Sequence, residues 1–234
     1  MSGGAAARLA YPRGMDSSAA PDRPRGPSLP RAYAIRSERE RLLEAMVRTA
    51  AARGYEAATV DEVVAMAGLP RAEFDALWPS KEACFLEAYD AVVDVLVAHV
   101  EAAYHSSSGP WPQRLDAGLG ALLELLAAEA DIARMAIVEV TAVGEDARLR
   151  YRGALDRFVG FLDAGREISP QGESLPADTA RFAIGSVVAV IFDEVRAGRG
   201  PELPGKRRQL LVALLTPYLG AERAEAEARA LGEA

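Results

Sequence analysis

The chain has 234 residues, half of them hydrophobic, with 34 acidic against 27 basic side chains and a formal net charge of −7. This length is enough for a small domain followed by one further helical domain. The acidic balance argues against non-specific coating of nucleic acid, although it leaves room for a DNA-binding protein whose positive charge is local.

The cysteine and hydropathy patterns indicate a cytoplasmic protein. The single Cys84 excludes a disulfide framework within one chain and fits a reducing compartment. The N-terminus shows no secretory signal. The most apolar run, Phe182 to Phe192, has 11 residues and is too short to span a bilayer, which needs about 20. We therefore expect no membrane partner.

Residues 1–36 are predicted to be a disordered basic arm. They are rich in Ala, Gly, Pro, Ser and Arg and show no helical period. Six arginines against two aspartates give the arm a net charge of +4. Two interpretations stay open: a leader without a role, or an arm whose arginines reach phosphates or a minor groove, as homeodomain arms do.

The first helix is predicted from Ser37 to Arg53, with Gly54 closing it. Apolar residues recur along it at helical spacing, namely Leu43, Met46, Val47 and Ala50. This face is expected to pack on the next two helices.

Two short helices joined by a tight turn are predicted between Thr59 and Glu82. Thr59 is a good N-cap for the first of them. Gly68 ends that helix where a left-handed residue is needed, and Pro70 stands where a new helix can begin. The second helix is predicted over Arg71–Leu77. Two short helices across a glycine-containing turn form a helix-turn-helix, whose second helix enters the major groove of DNA.

The run from Arg41 to Tyr89 contains several short motifs in a specific order, namely Ala52-Arg53-Gly54-Tyr55, Thr59-Val60, Ala67-Gly68-Leu69, Phe74, Trp78 and Ser80-Lys81-Glu82. In this order and spacing the run resembles the N-terminal domain of the TetR family of transcriptional regulators. The resemblance covers roughly a fifth of the chain.

The resemblance implies an all-α fold. It comprises an N-terminal three-helix helix-turn-helix domain over residues 37–88, and a C-terminal helical ligand-binding and dimerisation domain over 89–220. The C-terminal tail, residues 221–234, alternates Ala with charge and is expected to be a frayed surface helix.

The resemblance also implies seven candidate DNA-binding residues, namely Thr59, Pro70, Arg71, Ala72, Glu73, Asp75 and Lys81. Glu73 stands where the family commonly has Thr, and Asp75 where it commonly has a phosphate-contacting Tyr. Carboxylates are repelled by phosphates, although they can accept a hydrogen bond from cytosine N4 in the major groove. Residues 37–88 carry six basic and ten acidic side chains, a net charge of −4. The fold expectation is unaffected, but the DNA contacts are open to both interpretations.

A long helix is predicted from Lys81 to about His105. It is apolar over a wide face, as a helix that joins two domains must be. Lys81 at its N-terminus is expected to contact a phosphate, against the alternative of an ordinary surface lysine. His99 and His105 have no partner at metal-ligand spacing, so we expect neither a metal nor another cofactor.

After a Ser/Gly/Pro linker at 106–110, the C-terminal part is predicted to contain five helices. Their expected ranges are Gln113–Ala127, Asp131–Val143, Glu145–Glu167, Ala177–Ala197 and Gly205–Leu219. Glu139, among apolar neighbours in the second of these, is either a polar group in a ligand cavity or a carboxylate on the helix rim.

The last two of these helices are the candidate dimer interface. The helix over 177–197 leaves little polar surface, and such a helix is either central in its own domain or half of an interface. In the family that the chain resembles, the final two long helices of each subunit form a four-helix interface. The residues expected there are Val188, Ile191, Leu211 and Leu215.

The sequence therefore predicts a homodimeric transcriptional regulator, most often a repressor, that binds double-stranded operator DNA and is released by a small apolar or amphipathic effector. An enzyme finds no support, because the chain shows no Gly-rich phosphate loop, no His/Cys/carboxylate cluster and no nucleophile motif. The alternative is a TetR-like helical protein that has lost specific DNA binding and acts through ligand or protein partners.

Overall fold

A computed structural model describes residues 37–232, so the predicted basic arm lies outside the described residues. The described part is helical and contains no strand, as the sequence predicts. The α-helices are α1 Glu38–Arg53, α2 Val60–Ala67, α3 Arg71–Leu77, α4 Lys81–Ser106, α5 Trp111–Ala128, α6 Ala130–Ala133, α7 Glu145–Asp156, α8 Val159–Asp163, α9 Thr179–Arg196, α10 Arg207–Leu219 and α11 Ala221–Gly232.

The first three helices form where local sequence signals start and stop them. Ser37 and Thr59 cap α1 and α2, and each completes a capping box with a glutamate three residues on. Gly68 ends α2 with a φ of 63°, in the left-handed region. Pro70 then caps α3, which spans Arg71–Leu77 as predicted. The helix-turn-helix expected from the sequence is thus present in the structure.

The first turns of α4 complete the core of this N-terminal domain. Leu42, Met46, Phe74 and Phe85 are almost fully buried there. The ring of Tyr55 packs edge-on against Phe85, with the ring centroids 4.9 Å apart. Because α4 supplies part of this core, the helix-turn-helix is anchored on the same helix that continues into the C-terminal part.

The rest of α4 is buried among the C-terminal helices. Its buried residues continue to Val100 and Tyr104, and α4 packs along α5. Helices α9 and α10 pack against each other, and α10 also packs against α5. The apolar cores of the two parts join along α4 into one continuous cluster.

The segment predicted as one helix over Asp131–Val143 is irregular. A short α6 is followed by a π-helical turn over Arg134–Val138 and a 3₁₀ turn over Glu139–Ala142. A π turn accommodates one residue more than an α-helix does. The spacing of apolar residues does not reveal such an extra residue, so the prediction of a single helix here was wrong.

The predicted helix Glu145–Glu167 is also broken, into α7, α8 and a 3₁₀ turn over Ala164–Ile168. Trp111 Nε1 donates a hydrogen bond of 2.8 Å to the carbonyl of Phe161, and this competes with the helical pattern. Gly165 lies so close to the Trp111 ring that a Cβ would stand 2.5 Å from it. Packing against a distant tryptophan thus acts at the end of α8 and at the 3₁₀ turn that follows it.

The C-terminal end differs from the expectation in two places. A 3₁₀ helix over Gly200–Lys206 precedes α10, so the last long helix begins two residues later than predicted. Residues 221–232 form α11, in which Ala224 and Ala228 are buried, and α11 packs on α10. The helix expected here is thus present, but it is packed rather than frayed, because small residues at i and i+4 let it approach its neighbour. None of the described helices combines the length and apolarity needed to cross a membrane.

Candidate DNA-binding face and effector cavity

The outer face of α3 presents the candidate DNA-binding residues to solvent. Phe74 anchors the helix in the core at 1% exposure. Arg71, Ala72 and Asp75 are exposed, and Glu73 is half-buried. A helix held by one apolar residue and open on the opposite side has the geometry that groove insertion requires.

Arg71 is held between two carboxylates on this face. Its Nε donates to Asp75 Oδ1 at 2.9 Å, and its Nη1 donates to Asp61 Oδ1 at 3.0 Å. These two hydrogen bonds raise the pKa of Arg71 further above its ordinary value. The pairs fix the direction of the guanidinium but also offset its charge. Asp75, which departs from the family pattern, therefore already has a partner on the protein, the Arg71 side chain.

Thr59 and Pro70 serve the local fold as well as lying on the exposed surface. The Thr59 hydroxyl accepts the backbone N–H of Glu62 at 3.2 Å and so caps α2. Pro70 is the N-cap of α3.

Lys81 is directed towards the turn between α1 and α2. Its Nζ donates to the carbonyls of Tyr55 at 2.8 Å and Ala58 at 2.9 Å. The same ammonium group lies 4.3 Å from the centre of the Tyr55 ring. The structure thus gives Lys81 a role in joining the start of α4 to this turn, and any phosphate would have to share an ammonium group that is already engaged.

A second network fixes α3 against α1 and α4. Glu87 accepts two hydrogen bonds of 2.7 Å from Arg39 and one of 2.8 Å from Trp78 Nε1. Burial raises the pKa of Glu87, but the hydrogen bonds from Arg39 and Trp78 outweigh it and hold the pKa below its usual range. The carboxylate therefore stays ionised and ties the end of α3 to both neighbours.

The C-terminal part contains an apolar cavity of about 100 Å³. Its walls come from α4, α5, α7, α8, α9, α10 and the π-helical turn, and carry no charged side chain. The lining residues include Leu96, Leu119, Leu122, Ala136, Ile137, Ala154, Phe158, Val188 and Ile191. A cavity with such walls favours a hydrocarbon group over a polar one.

Tyrosines are the main source of polar atoms among the lining residues. Tyr89, Tyr104 and Tyr151 all contribute to the wall. Burial raises the pKa of each of the three phenols. The hydroxyl groups therefore remain neutral, and the cavity contains no charge that would demand a counter-ion from a guest.

A polar groove adjoins this cavity between α4 and α7. Tyr89, Val93 and Ala154 belong to the walls of both. On the groove side, Arg157 pairs with Asp94 at 2.7 Å, and a second ion pair joins Arg150 to Asp90. Sequence reasoning missed these residues. The sequence feature that could have indicated this groove is the i, i+4 spacing of Asp90 and Asp94 on α4.

Glu139 is not among the residues that line the cavity. Its side chain is only 7% exposed and pairs through Oε1 with Arg134 Nη2 at 2.9 Å. Its Oε2 accepts the backbone N–H of Tyr55 at 2.8 Å. The expected ligand-cavity carboxylate is therefore a buried link to the N-terminal domain, because the irregular backbone of residues 134–142 turns it away from the cavity.

Three of the four residues expected at a dimer interface are buried within one chain. Ile191 and Leu211 are each 1% exposed and Leu215 is fully buried. Val188 and Ile191 line the cavity instead. The exposed side of α9 carries Phe182, at 74% exposure, together with Gly185 and Ala189. Apolar periodicity identified the helix but not which of its two apolar faces is covered within the chain.

The described residues contain no group of three or more His, Cys, Asp or Glu side chains placed to hold a metal ion. The site consists of a helix-turn-helix with an exposed second helix, joined by one continuous helix to a helical part with an apolar cavity. This arrangement defines the class of helix-turn-helix regulatory proteins.

Residues 42–88 match the sequence model of the family described as "Bacterial regulatory proteins, tetR family". This stretch, about a fifth of the chain, is thus similar to the N-terminal domain of that family, as the motif order predicted. No curated protein sequence was found to match the chain.

Solved structures share the fold of nearly the whole described chain. The fatty acid degradation regulator FadR from Bacillus halodurans aligns with a TM-score of 0.68 and 17% identity, over 77% of this chain and 95% of that one. FadR from Bacillus subtilis, solved in complex with stearoyl-CoA, has a TM-score of 0.64 and 17% identity, over 76% and 97%. PfmR from Thermus thermophilus has a TM-score of 0.56 and 19% identity, over 84% and 96%.

Proposed function

We propose that this chain is a ligand-responsive transcriptional repressor whose effector is a small apolar or amphipathic molecule. The observation that carries this function is the shared use of α4. Its first turns complete the core around the recognition helix, and its later turns form a wall of the apolar cavity. A guest in the cavity therefore acts on the helix that supports the DNA-binding face.

The proposed release from DNA by a guest follows from the geometry of a dimer on DNA. Two recognition helices of a dimer must reach groove positions about 34 Å, or a multiple of a helical turn, apart. A guest that favours another position of α4 would shift the population towards a spacing that fits DNA badly. The expected coupling is on the order of 1–3 kcal/mol, and DNA must weaken guest binding by the same factor.

The effector proposal rests on the cavity walls. An engineered apolar cavity of about 150 Å³ binds benzene, so about 100 Å³ suits at most a small hydrocarbon group. A longer chain would have to displace lining side chains, and that displacement would supply the signal. Stearoyl-CoA, the ligand of the Bacillus subtilis FadR structure, is accordingly the first amphipathic molecule to test.

The proposed homodimer uses the outer side of α9. A phenylalanine at 74% exposure beside Gly185 and Ala189 leaves an apolar strip that small residues make accessible to a second helix. Val188, Ile191, Leu211 and Leu215 would support this interface from behind rather than form its contact surface.

The alternative, loss of specific DNA binding, has one observation in its favour. Asp61 and Asp75 pair with Arg71 on the face that would meet DNA. Carboxylates at this position would repel phosphates, unless a base such as cytosine donates to one of them.

The test is binding of the full chain to labelled DNA from around its own gene, measured by fluorescence anisotropy at about 50 and 200 mM salt. A specific complex that weakens with salt is expected, and Arg71→Ala should reduce its sequence discrimination by roughly 1–3 kcal/mol. Stearoyl-CoA should then weaken the complex, whereas coenzyme A without an acyl chain should not. Absence of any specific complex would favour the alternative.

Ala154→Phe provides a matched control for the effector. Ala154 lines the cavity from α7 and lies far along the chain from the recognition helix. The larger side chain would fill part of the cavity, so the response to stearoyl-CoA should be reduced while the variant remains folded. An unchanged response in this variant would move the effector site elsewhere.

A further inference from the structure

The buried carboxylate of Glu139 joins the cavity wall to the N-terminal domain. It accepts the Tyr55 backbone N–H at 2.8 Å and pairs with Arg134 at 2.9 Å. Arg134 and Glu139 lie on the segment 134–142, whose Ala136 and Ile137 line the cavity. Along the chain, the cavity wall at Ile137 is thus two residues from a hydrogen bond to the other domain.

The backbone of this segment has the irregularity that a movable element needs. Residues Arg134–Val138 form a π turn and Glu139–Ala142 a 3₁₀ turn. π turns carry one extra residue and are frequent at functional sites. If a guest displaced Ala136 or Ile137 and the turn relaxed towards α-helical geometry, the residues that follow would rotate about the axis, and Glu139 is the first of them.

Tyr55 is placed to pass such a rotation to the DNA-binding face. It follows Gly54, the C-cap residue of α1. Its carbonyl accepts from Lys81 Nζ at 2.8 Å, and its ring packs on Phe85 at 4.9 Å. Lys81 opens α4, which follows the end of the recognition helix after three residues. Movement of Tyr55 therefore reaches the end of α1 and the start of α4 together.

We propose that Glu139 transmits occupancy of the cavity to the DNA-binding domain, by releasing the Tyr55 N–H when a guest displaces the π turn. Glu139 touches neither DNA nor guest, so it is a positioning residue. The inference rests on the proposed function, because it takes the cavity as the effector site.

The test follows exchange of the Tyr55 amide hydrogen by NMR, with benzene as the cavity probe. In the wild-type chain, benzene should speed this exchange by at least about fivefold, the factor that corresponds to losing one hydrogen bond. In Glu139→Ala the exchange should already be faster by that factor, and benzene should add less than about twofold. Glu139→Gln keeps an acceptor oxygen and should retain part of the benzene response.

Glu194→Ala is the matched control. Glu194 is a buried carboxylate of the same kind, paired with Arg199 at 2.7 Å and Lys206 at 3.2 Å. These partners all lie in the C-terminal part, so Tyr55 exchange in this variant should match the wild type with and without benzene. A similar acceleration in Glu194→Ala would assign the effect to general loosening and overturn the proposal.

Amide shifts at Ala136 and Ile137 report whether benzene has entered. If these shifts move and wild-type Tyr55 exchange does not, the proposal fails. If they do not move, Ala136→Leu fills the cavity permanently, and an unchanged Tyr55 exchange in the folded variant would also overturn it. The measurement needs no DNA, so its outcome does not depend on whether the chain binds DNA. A chain that bound no DNA would contradict the proposed function without deciding whether Glu139 responds to the cavity.

Discussion

Replacing Lys81 by Met separates a structural lysine from a phosphate-binding one. Met keeps the apolar length of the side chain but removes the ammonium group. The change deletes the hydrogen bonds to the carbonyls of Tyr55 and Ala58, at 2.8 and 2.9 Å, and the contact with the Tyr55 ring at 4.3 Å.

The expected loss of stability can be worked out from these contacts. A hydrogen bond to a charged group contributes about 1.5–3 kcal/mol, and a cation over an aromatic ring about 0.5–1 kcal/mol at a partly exposed site. Because all these contacts act through one half-buried group, we expect the free energy of unfolding to fall by about 2–4 kcal/mol. That is a large part of the stability of a typical domain, about 5–15 kcal/mol.

The assay is urea unfolding followed by circular dichroism, with Lys206→Met as the control. Lys206 makes an ion pair of 3.2 Å with Glu194, and that carboxylate keeps its second partner, Arg199 at 2.7 Å, when Lys206 is replaced. The expected loss in this control is therefore only about 0–1 kcal/mol. A loss below about 0.5 kcal/mol in Lys81→Met, combined with weaker DNA binding and a salt slope reduced by about 1, would refute the structural role. The ammonium group would then be a phosphate contact, as the sequence first suggested.

Three further predictions follow from the site and the surface. Glu87→Gln should make the free energy of unfolding less sensitive to acid. The folded chain lowers the pKa of Glu87, so its ionised carboxylate stabilises the fold above the ordinary pKa of 4.5, and this stability is lost as the pH falls through the folded pKa. Urea midpoints measured as a function of pH test this prediction. Phe182→Asp should yield monomer by light scattering, whereas Leu149→Asp, also exposed at 54%, should not. Asp75→Asn should strengthen DNA binding in anisotropy titrations, unless Asp75 accepts from a base.

The sequence predicted the N-terminal helices closely because their boundaries depend on local chemistry. Thr59, Gly68 and Pro70 act on backbone groups within a few residues, so their effects can be inferred from order alone. The match of residues 42–88 to the tetR family rests on the same local order.

The site was less predictable because its contacts join distant residues. Lys81 reaches carbonyls more than twenty residues earlier, and Glu139 binds the backbone of Tyr55 across the domain boundary. Periodicity showed that Ile191 is apolar and inward-facing, but not whether it faces its own chain or another copy. That distinction depends on which helices surround α9, which is set by tertiary packing.

Helix α4 runs unbroken from residue 81 to residue 106, so residue 88, where the family match ends, falls inside it. A continuous helix fixes both distance and angle between the parts that it joins, at about 1.5 Å and about 100° per residue. One residue inserted after position 88 would therefore turn the helix-turn-helix by about 100° relative to the cavity, whereas about seven would nearly restore its phase. Chimeras that replace the helical part beyond this junction must accordingly be spliced in helical register.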